Sequence, residues 1–184
     1  SFRGTTASQT AVLWNGININ SQFNGQTDFN TLNAAGYDNI SVRGGGGSVV
    51  YGTGAIGGTV HLNTNLDFSG KTKQDIFLQY GSFNTLDARY KIKTSGKKWS
   101  LSVALARNSS DNDYEWPVEG RINQNGEFYN NNLNIGLAYR LNEKNTIKFY
   151  SEVFNGERHF SLIRPSETRT KYSDLNTRNL LEWV

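Results

Sequence analysis

The sequence predicts an all-β protein whose C-terminal two thirds forms membrane-spanning antiparallel strands. Three observations support this fold class. Apolar and polar residues alternate over six segments, aromatic residues bound the apolar faces, and short connections differ sharply from long ones. Alternation with a period of two is typical of strands that have one apolar and one polar face. The chain also has a negative mean hydropathy, which a membrane barrel tolerates because only half of each strand faces lipid.

We expect each of the six segments to belong to a strand of roughly 8–12 residues. The alternation is clear in four segments and weaker in the first and the last: Asp75–Gly81, Leu86–Lys93, Trp99–Ala106, Leu133–Leu141, Ile147–Val153 and Leu175–Val184. The aromatic residues that bound the apolar faces are Tyr80, Tyr90, Trp99, Tyr139 and Trp183. Such residues form girdles at the two membrane interfaces. The opposite faces carry charges such as Arg89 and Lys91, which we expect to line a polar lumen.

The connections between the segments are of two kinds. Ser95–Lys97 and Asn142–Asn145 are tight turns, whereas Asn108–Asn130 and Phe154–Tyr172 are long. If the strands run up and down, the tight turns lie on one rim, and the long loops lie on the other with the short Gly81–Asn84 turn. Outer-membrane barrels have short periplasmic turns and longer extracellular loops. A soluble or surface-attached β-sandwich that binds polysaccharide also fits the alternation, and it remains the alternative.

Composition excludes several classes of site. The chain has no Cys and only two His, so a disulfide framework, a thiolate metal site and a Cys nucleophile are excluded. The basic residues are scattered and the net charge is +3, which predicts no nucleic-acid surface. No segment has the spacing of a catalytic triad or a lipase elbow. We therefore expect no enzyme activity.

Residues 1–66 differ from the rest of the chain. They contain many Gly, Asn and Thr residues, and we interpret their short apolar runs as strands: Ala11–Trp14, Ile40–Val42, Val49–Tyr51 and Thr59–Leu62. One helical turn is expected around Asp28–Leu32. Residues 52–57 satisfy the dinucleotide pattern G-x-G-x-x-G, but the β-prone run after Gly58 occupies the place where that fingerprint requires a helix.

Four motifs in this segment resemble, in order and spacing, the second half of the plug domain of TonB-dependent outer-membrane receptors. They are Ser1-Phe2-Arg3-Gly4, Val12-Leu13-Trp14-Asn15-Gly16, Val42-Arg43-Gly44 and Tyr51-Gly52-Thr53-Gly54-Ala55-Ile56-Gly57-Gly58. The alternating strands follow where the barrel begins in that family. Within the family, Thr10–Asn20 and Gly25–Asp28 look most like the vitamin B12 receptor branch.

The resemblance implies two domains: the C-terminal part of a small α/β-type plug over 1–66, and the first six or so strands of a 22-stranded transmembrane barrel over 67–184. It implies that Arg3 and Arg43 lock the plug to the barrel through Glu residues that would lie beyond Val184. It also marks Gly52, Gly54, Gly57 and Gly58 as plug motif glycines. The segment that contacts TonB is expected before Ser1, and the absence of Met fits a chain cut from something larger.

The resemblance further implies ligand capture by plug apices and extracellular loops. The residues that match those positions are Asn20, Ser21, Gln22, Phe23, Asn24 and Gln26 in the plug, and Tyr114, Trp116, Phe128, Phe160 and Arg164 in the long loops. Polar side chains with some aromatics suit a large polar ligand. Calcium is a further expectation, because Asp111, Asp113 and Glu115 supply hard oxygen ligands in one loop. No other cofactor is expected.

The expected function is therefore that of a transporter in the outer membrane of a Gram-negative bacterium. Its ligand would be vitamin B12 or a related corrinoid, or an iron–siderophore or haem. Its partners would be outer-membrane lipid and the TonB energy-coupling complex.

Overall fold

The computed structural model describes residues 4–45, 47–117, 119–162, 164 and 166–184. The chain divides into two compact units, Ser1–Asn65 and Leu66–Val184. The predicted boundary lay after residue 66, where turn-rich sequence gives way to alternation.

The first unit contains a four-stranded sheet. Its strands are β1 (Thr10–Trp14), β2 (Ile17–Asn18), β3 (Asn39–Gly44) and β4 (Gly58–Asn63). They lie in the order β2-β1-β4-β3, in which β1 pairs with β4 in parallel and the other pairs are antiparallel. A parallel pair requires a crossover connection, and here the segment that contains β3 supplies it.

The core of this unit is centred on β1, all five residues of which are buried. Leu13, Ala11 and Ala55 are completely inaccessible to solvent and pack together with the partly buried Tyr51. A strand that is covered on both faces has a continuous apolar run instead of an alternating one. This explains why Ala11–Trp14 shows no alternation.

Short helical segments fill the rest of the unit. Four are 3-10 turns, at Ala7–Gln9, Phe29–Thr31, Ala34–Gly36 and Thr53–Ala55, and one is the α-helix α1 (Ser48–Tyr51). The expected turn near Asp28 is thus present, and the Asp28 carboxylate accepts a hydrogen bond from the amide of Asn30. No helix in the described part of the chain is long and apolar enough to cross a membrane.

The prediction of a strand at Val49–Tyr51 was wrong, because these residues form α1. The β-branched Val49 and Val50 favour strands, but Gly52, with a φ of 81°, ends the segment after a single turn. Their side chains are 93% and 73% exposed, so no neighbouring strand gives them the packing on which β-propensity depends.

The second unit is a single meander. Six strands pair in chain order, each antiparallel to the next. They are β5 (Thr72–Gly81), β6 (Thr85–Ser95), β7 (Trp99–Ser110), β8 (Phe128–Asn142), β9 (Asn145–His159) and β10 (Lys171–Trp183). All six predicted strands are present, and most extend beyond the segments in which alternation is visible.

The connections lie as the up-and-down arrangement predicts. The β6–β7 and β8–β9 turns share one end of the sheet, called here the turn end. The opposite end, the loop end, has the long β7–β8 and β9–β10 loops and the β5–β6 turn. In that turn Phe83 and Asn84 have φ values of 59° and 51°, as the two central residues of a type I′ hairpin require.

The two faces of the sheet have the reverse of the burial found in soluble proteins. On the apolar face, Ile76, Leu78 and Trp183 are 78%, 72% and 75% exposed. On the polar face, Ser102 and Glu152 are 3% and 2% exposed. A sandwich would cover the apolar face with a second sheet, but the described strands of residues 66–184 all belong to one sheet. Exposed apolar and enclosed polar faces are what a membrane barrel requires.

Aromatic residues are grouped at the turn end of the apolar face. Across β7 to β10 the register pairs Trp99 with Tyr139, Tyr139 with Ile147, and Ile147 with Trp183. The Trp183 indole donates to the Asn145 side-chain oxygen over 2.9 Å. Amphipathic rings in this position suit a membrane interface.

Candidate functional site

The Asn20 side chain holds the first candidate ligand loop, residues 20–26, against β1. Its Oδ1 accepts from the amide of Val12 over 2.8 Å, and its Nδ2 donates to the carbonyls of Thr10 and Gly25 over 2.9 and 2.8 Å. The Thr27 hydroxyl donates to the same Oδ1. The Asn20 side-chain amide is therefore used in hydrogen bonds within the protein. Among the predicted ligand residues of this loop, Asn20 is the one that holds the rest of the loop in place.

The rest of this loop is a preformed projection. The Ser21 amide donates to the Gln26 carbonyl, and the Gly25 amide donates to the Ser21 carbonyl. The Ser21 hydroxyl and the Asn24 side-chain oxygen accept further amides at the tip. These bonds leave Gln22 exposed and Phe23 99% exposed. An aromatic ring presented on an ordered tip is suited to contact with a large ligand.

A second group of candidates lies in the β7–β8 loop, which the structure folds into a small hairpin. The Trp116 amide donates to the Arg121 carbonyl over 2.8 Å. The Tyr114 and Trp116 rings are 5.7 Å apart, and the Arg121 guanidinium lies 5.3 Å from the centre of the Trp116 ring. The structure thus brings Tyr114 and Trp116 together, in a cluster that also includes Phe83.

The two long loops are joined by asparagine side chains. Asn123 Nδ2 donates to the Asn112 carbonyl and to the Ser161 hydroxyl over 2.7 and 3.0 Å. Asn125 Nδ2 donates to the carbonyls of Phe160 and Thr170. Neither residue was predicted, because Asn is common in turns and loops and its partners here are far away in sequence. The role of such an asparagine can be assigned only when its hydrogen-bond partners are known.

A recess of about 360 Å³ lies at the loop end. Its lining includes Arg158, His159 and the predicted Phe128 and Phe160. The Arg158 guanidinium is 5.8 Å from the centre of the Phe128 ring. Arg164 does not line this recess; it is exposed in the β9–β10 loop. The recess combines two aromatic rings with a cation.

One of the predicted calcium ligands, Asp111, has a side-chain hydrogen-bond partner. Asp111 accepts a hydrogen bond from the Asn84 amide group over 2.8 Å. In the described part of the chain, no group of three or more His, Asp or Glu side chains is placed to hold a metal ion. Calcium at Asp111, Asp113 and Glu115 stays a prediction.

Among the four plug motif glycines, Gly57 lies where two segments of the chain meet closely. A Cβ atom on Gly57 would come within 2.3 Å of the Thr5 hydroxyl and 3.0 Å of the Gln9 carbonyl. Gly52 has a positive φ, Gly54 is followed directly by the buried Ala55, and Gly58 begins β4. Of the two predicted locking residues, Arg43 is exposed near the end of β3, and Arg3 lies outside the described residues.

His61 lies in the same unit, close to Arg43. Its Nε2 is 2.9 Å from the Thr59 hydroxyl, and its ring meets Tyr51 edge to face at 5.9 Å. Burial, and then the positive charge of Arg43, lower the pKa of His61 below its usual 6.5. The imidazole is therefore protonated less readily in the folded unit than in the unfolded chain.

The lowered pKa of His61 predicts that the stability of the plug unit depends on pH. Below about pH 6.5 the unfolded chain binds the proton more readily than the folded one, so the free energy of unfolding falls as the pH drops. We expect denaturant midpoints measured from pH 7.5 to 5 to decrease, and His61→Gln to reduce that slope. His159→Gln is the control at the other His. If the denaturant midpoint of His61→Gln fell with pH as steeply as that of the unchanged chain, His61 would not be the source of the pH dependence.

The first part of the chain matches a known family model. Residues 1–59 match the model described as TonB-dependent Receptor Plug Domain. The vitamin B12 transporter BtuB of Vibrio vulnificus (strain YJ016) is 36% identical over 81 residues, which are 44% of this chain and 13% of that transporter.

A solved structure extends the likeness to most of the fold. The copper transporter OprC matches with a TM-score of 0.68 over 85% of this chain, at 21% identity, and the match covers 24% of OprC. The chain thus spans 13% of the one relative and 24% of the other.

Proposed function

We propose that the chain is part of an outer-membrane transporter of the TonB-dependent receptor family, because residues 1–59 match the plug-domain model of that family. The transporter binds a scarce, large ligand outside the cell. TonB, driven from the inner membrane, then rearranges the plug so that the ligand passes. No covalent chemistry is involved, so the residues that matter bind or gate.

The observation that carries this proposal is the reversed burial of the six-stranded sheet. Its apolar side chains are exposed and its polar side chains, such as Ser102 and Glu152, are enclosed. Transfer of apolar surface from water to an apolar medium is favourable, so such a face needs lipid. An enclosed polar face suits an aqueous lumen. The match of residues 1–59 to the plug-domain model supports the same assignment.

Vitamin B12 or a related corrinoid is the ligand we propose. The relative with 36% identity is named a vitamin B12 transporter. The exposed Phe23 tip and the Tyr114–Trp116 cluster are aromatic surfaces among polar groups, which suit a large ligand with both apolar and polar edges. An iron–siderophore or haem would use the same surfaces, and the binding experiment distinguishes these ligands.

The experiment is a competition assay on the full-length receptor in outer-membrane vesicles. Labelled cobalamin is displaced by unlabelled cobalamin, a ferric siderophore or haem. We expect saturable cobalamin binding that the other two do not displace. Displacement by the siderophore or haem alone would overturn the ligand assignment. A folded monomer of the receptor in buffer without detergent would overturn the membrane assignment and favour the sandwich that binds polysaccharide.

Phe23→Ala tests the role of the plug tip. The ring is almost fully exposed and makes none of the loop's hydrogen bonds, so its removal should leave the fold intact. We expect about tenfold weaker cobalamin binding, or about 1.4 kcal/mol, with an unchanged melting temperature. Phe29→Ala is the matched control, because Phe29 is a half-exposed ring of the same unit outside the loop. Equal affinity losses in both variants would contradict a specific role for the tip.

A further inference from the structure

We propose that the apolar face of the six-stranded sheet binds one phosphorylated lipid, with an acyl chain in a groove across β5 to β9 and the phosphate at Arg107. The inference rests on the proposed function, because this face meets lipid only in a membrane barrel. It adds a site on the outside of the barrel wall, separate from the ligand surfaces of the loops and plug.

The groove is about 550 Å³ in volume and mostly apolar. The register places Ile76 beside Tyr90, Tyr90 beside Leu105 and Leu105 beside Leu133, so one row of large side chains crosses four strands. In the next row towards the loop end, Ala88 lies between Leu78 and Arg107. The small Ala88 side chain among larger neighbours gives the groove its depth.

The groove has a polar end. Arg107, Asn131 and Asn155 occupy adjacent positions on β7, β8 and β9, one row nearer the loop end than Leu105 and Leu133. All three line the groove. Because they lie on the same face as the apolar row, a molecule in the groove meets hydrocarbon first and then a cation with two amides.

Arg107 is available to an anion. Its Nη1 donates to Asn131 Oδ1 over 2.9 Å, and its guanidinium lies 5.5 Å from the centre of the Tyr129 ring. None of the described carboxylates forms an ion pair with it. A guanidinium has five N–H donors, so most of them are left for an external acceptor. An arginine on the lipid face is tolerated near the interface, where phosphate groups lie.

The nearest acidic group on this face is already compensated. Glu157 pairs with Tyr129 in register, two residues from Asn155 along β9. Its carboxylate binds Lys171 Nζ over 3.0 Å and His159 Nε2 over 2.9 Å. The charge of Glu157 therefore does not oppose an anion at Arg107.

The chemistry of the bound molecule follows from the apolar groove and the polar end together. Arginine binds phosphate with two parallel hydrogen bonds, and asparagine amides bind further oxygens of a headgroup. An apolar groove that starts beside the phosphate site matches the acyl chain of the same molecule. A free phosphate would leave the groove empty, and an uncharged detergent would leave Arg107 without an anion. A phosphorylated lipid satisfies both parts.

The test is native mass spectrometry of the full-length receptor in mild detergent. The probes are lipid A with both phosphates and the same lipid with its phosphates removed. We expect one retained copy of the phosphorylated form. Arg107→Gln should lower its occupancy about tenfold, and Ala88→Leu, which fills the groove without changing charge, should lower it by a similar factor. Arg140→Gln, a cation at the turn end on the polar face, should leave occupancy unchanged.

Equal retention of the two lipids, or full retention by Arg107→Gln, would overturn the proposal. If Arg140→Gln lost as much lipid occupancy as Arg107→Gln, the effect of Arg107 would be one of general charge, and the proposal would be overturned as well. Cobalamin binding is measured on the same preparations. A receptor that binds cobalamin but no lipid contradicts this inference alone, whereas a chain that is monomeric without detergent contradicts the proposed function.

Discussion

Replacing Asn20 with Ala is expected to lower the free energy of unfolding of the plug unit by about 2–4 kcal/mol, because buried backbone groups lose their partners. The amide of Val12, which is 1% exposed, would have no acceptor, and the carbonyls of Thr10 and Gly25 would lose a donor. The loop of residues 20–26 would detach from β1 at its base. We therefore expect weaker ligand binding as well, although Asn20 itself faces the protein.

The measurement is chemical denaturation of the receptor, followed by the fluorescence of Trp14 in a background in which the other three tryptophans are replaced by Phe. Asn24→Ala is the control, since Asn24 lies in the same loop and its side chain accepts only the exposed Gln26 amide. It should lower the free energy of unfolding by less than about 1 kcal/mol. If Asn20→Ala and Asn24→Ala were equally stable, Asn20 would not be the anchor. Asn20→Asp should be intermediate, because it keeps the acceptor for Val12 and loses the donors.

Glu152→Ala is expected to be the most destabilising change in the barrel sheet. Glu152 is 2% exposed, accepts from Arg178 Nη1 over 2.7 Å and from Asn134 Nδ2 over 3.1 Å, and so connects β8, β9 and β10. Removing one partner of a buried ion pair leaves the other charge uncompensated and costs about 3–5 kcal/mol. We expect a large fall in the melting temperature in detergent.

A double variant separates the charge effect from packing. Glu152→Leu with Arg178→Met removes both charges and keeps similar volume, which is often neutral or stabilising. We expect the double variant to recover most of the stability lost in Glu152→Ala. For comparison, Lys73→Ala at the exposed Lys73–Asp75 pair should change the free energy of unfolding by less than about 1 kcal/mol. If the double variant were as unstable as Glu152→Ala, the pair would stabilise the sheet through the packing of its side chains and not through its charges.

The barrel strands could be predicted because the features that define them involve residues close together in the sequence. A strand with two different faces must alternate, and tight turns such as that at Asn142–Asn145 have recognisable residues. The central strand of the plug could be placed from its apolar run alone. The Val49–Tyr51 segment could not, since its conformation depends on the glycines beside it and on the absence of a neighbouring strand.

The candidate site was predicted less completely, because its contacts are non-local. The sequence indicated Phe23 and the aromatic residues of the long loops. It could not distinguish Asn20, which anchors a loop, from Asn24, which caps a turn. Nor could it show that Asn123 and Asn125 join two loops, or that Asp111 binds Asn84. The same residue type serves these different roles, and only the partner decides among them.

The parallel pairing of β1 with β4 has a consequence for how the protein folds. Thr10 pairs with Gly58, so the most buried strand of the plug has no partner on that side until the whole segment between them is available. Each barrel strand, in contrast, pairs with the next one along the chain. Folding rates fall as contacts become more distant in sequence. The apolar run of β1 therefore stays partly uncovered until the chain as far as Gly58 is available, and during that time a folding chaperone or an aggregation partner can bind it.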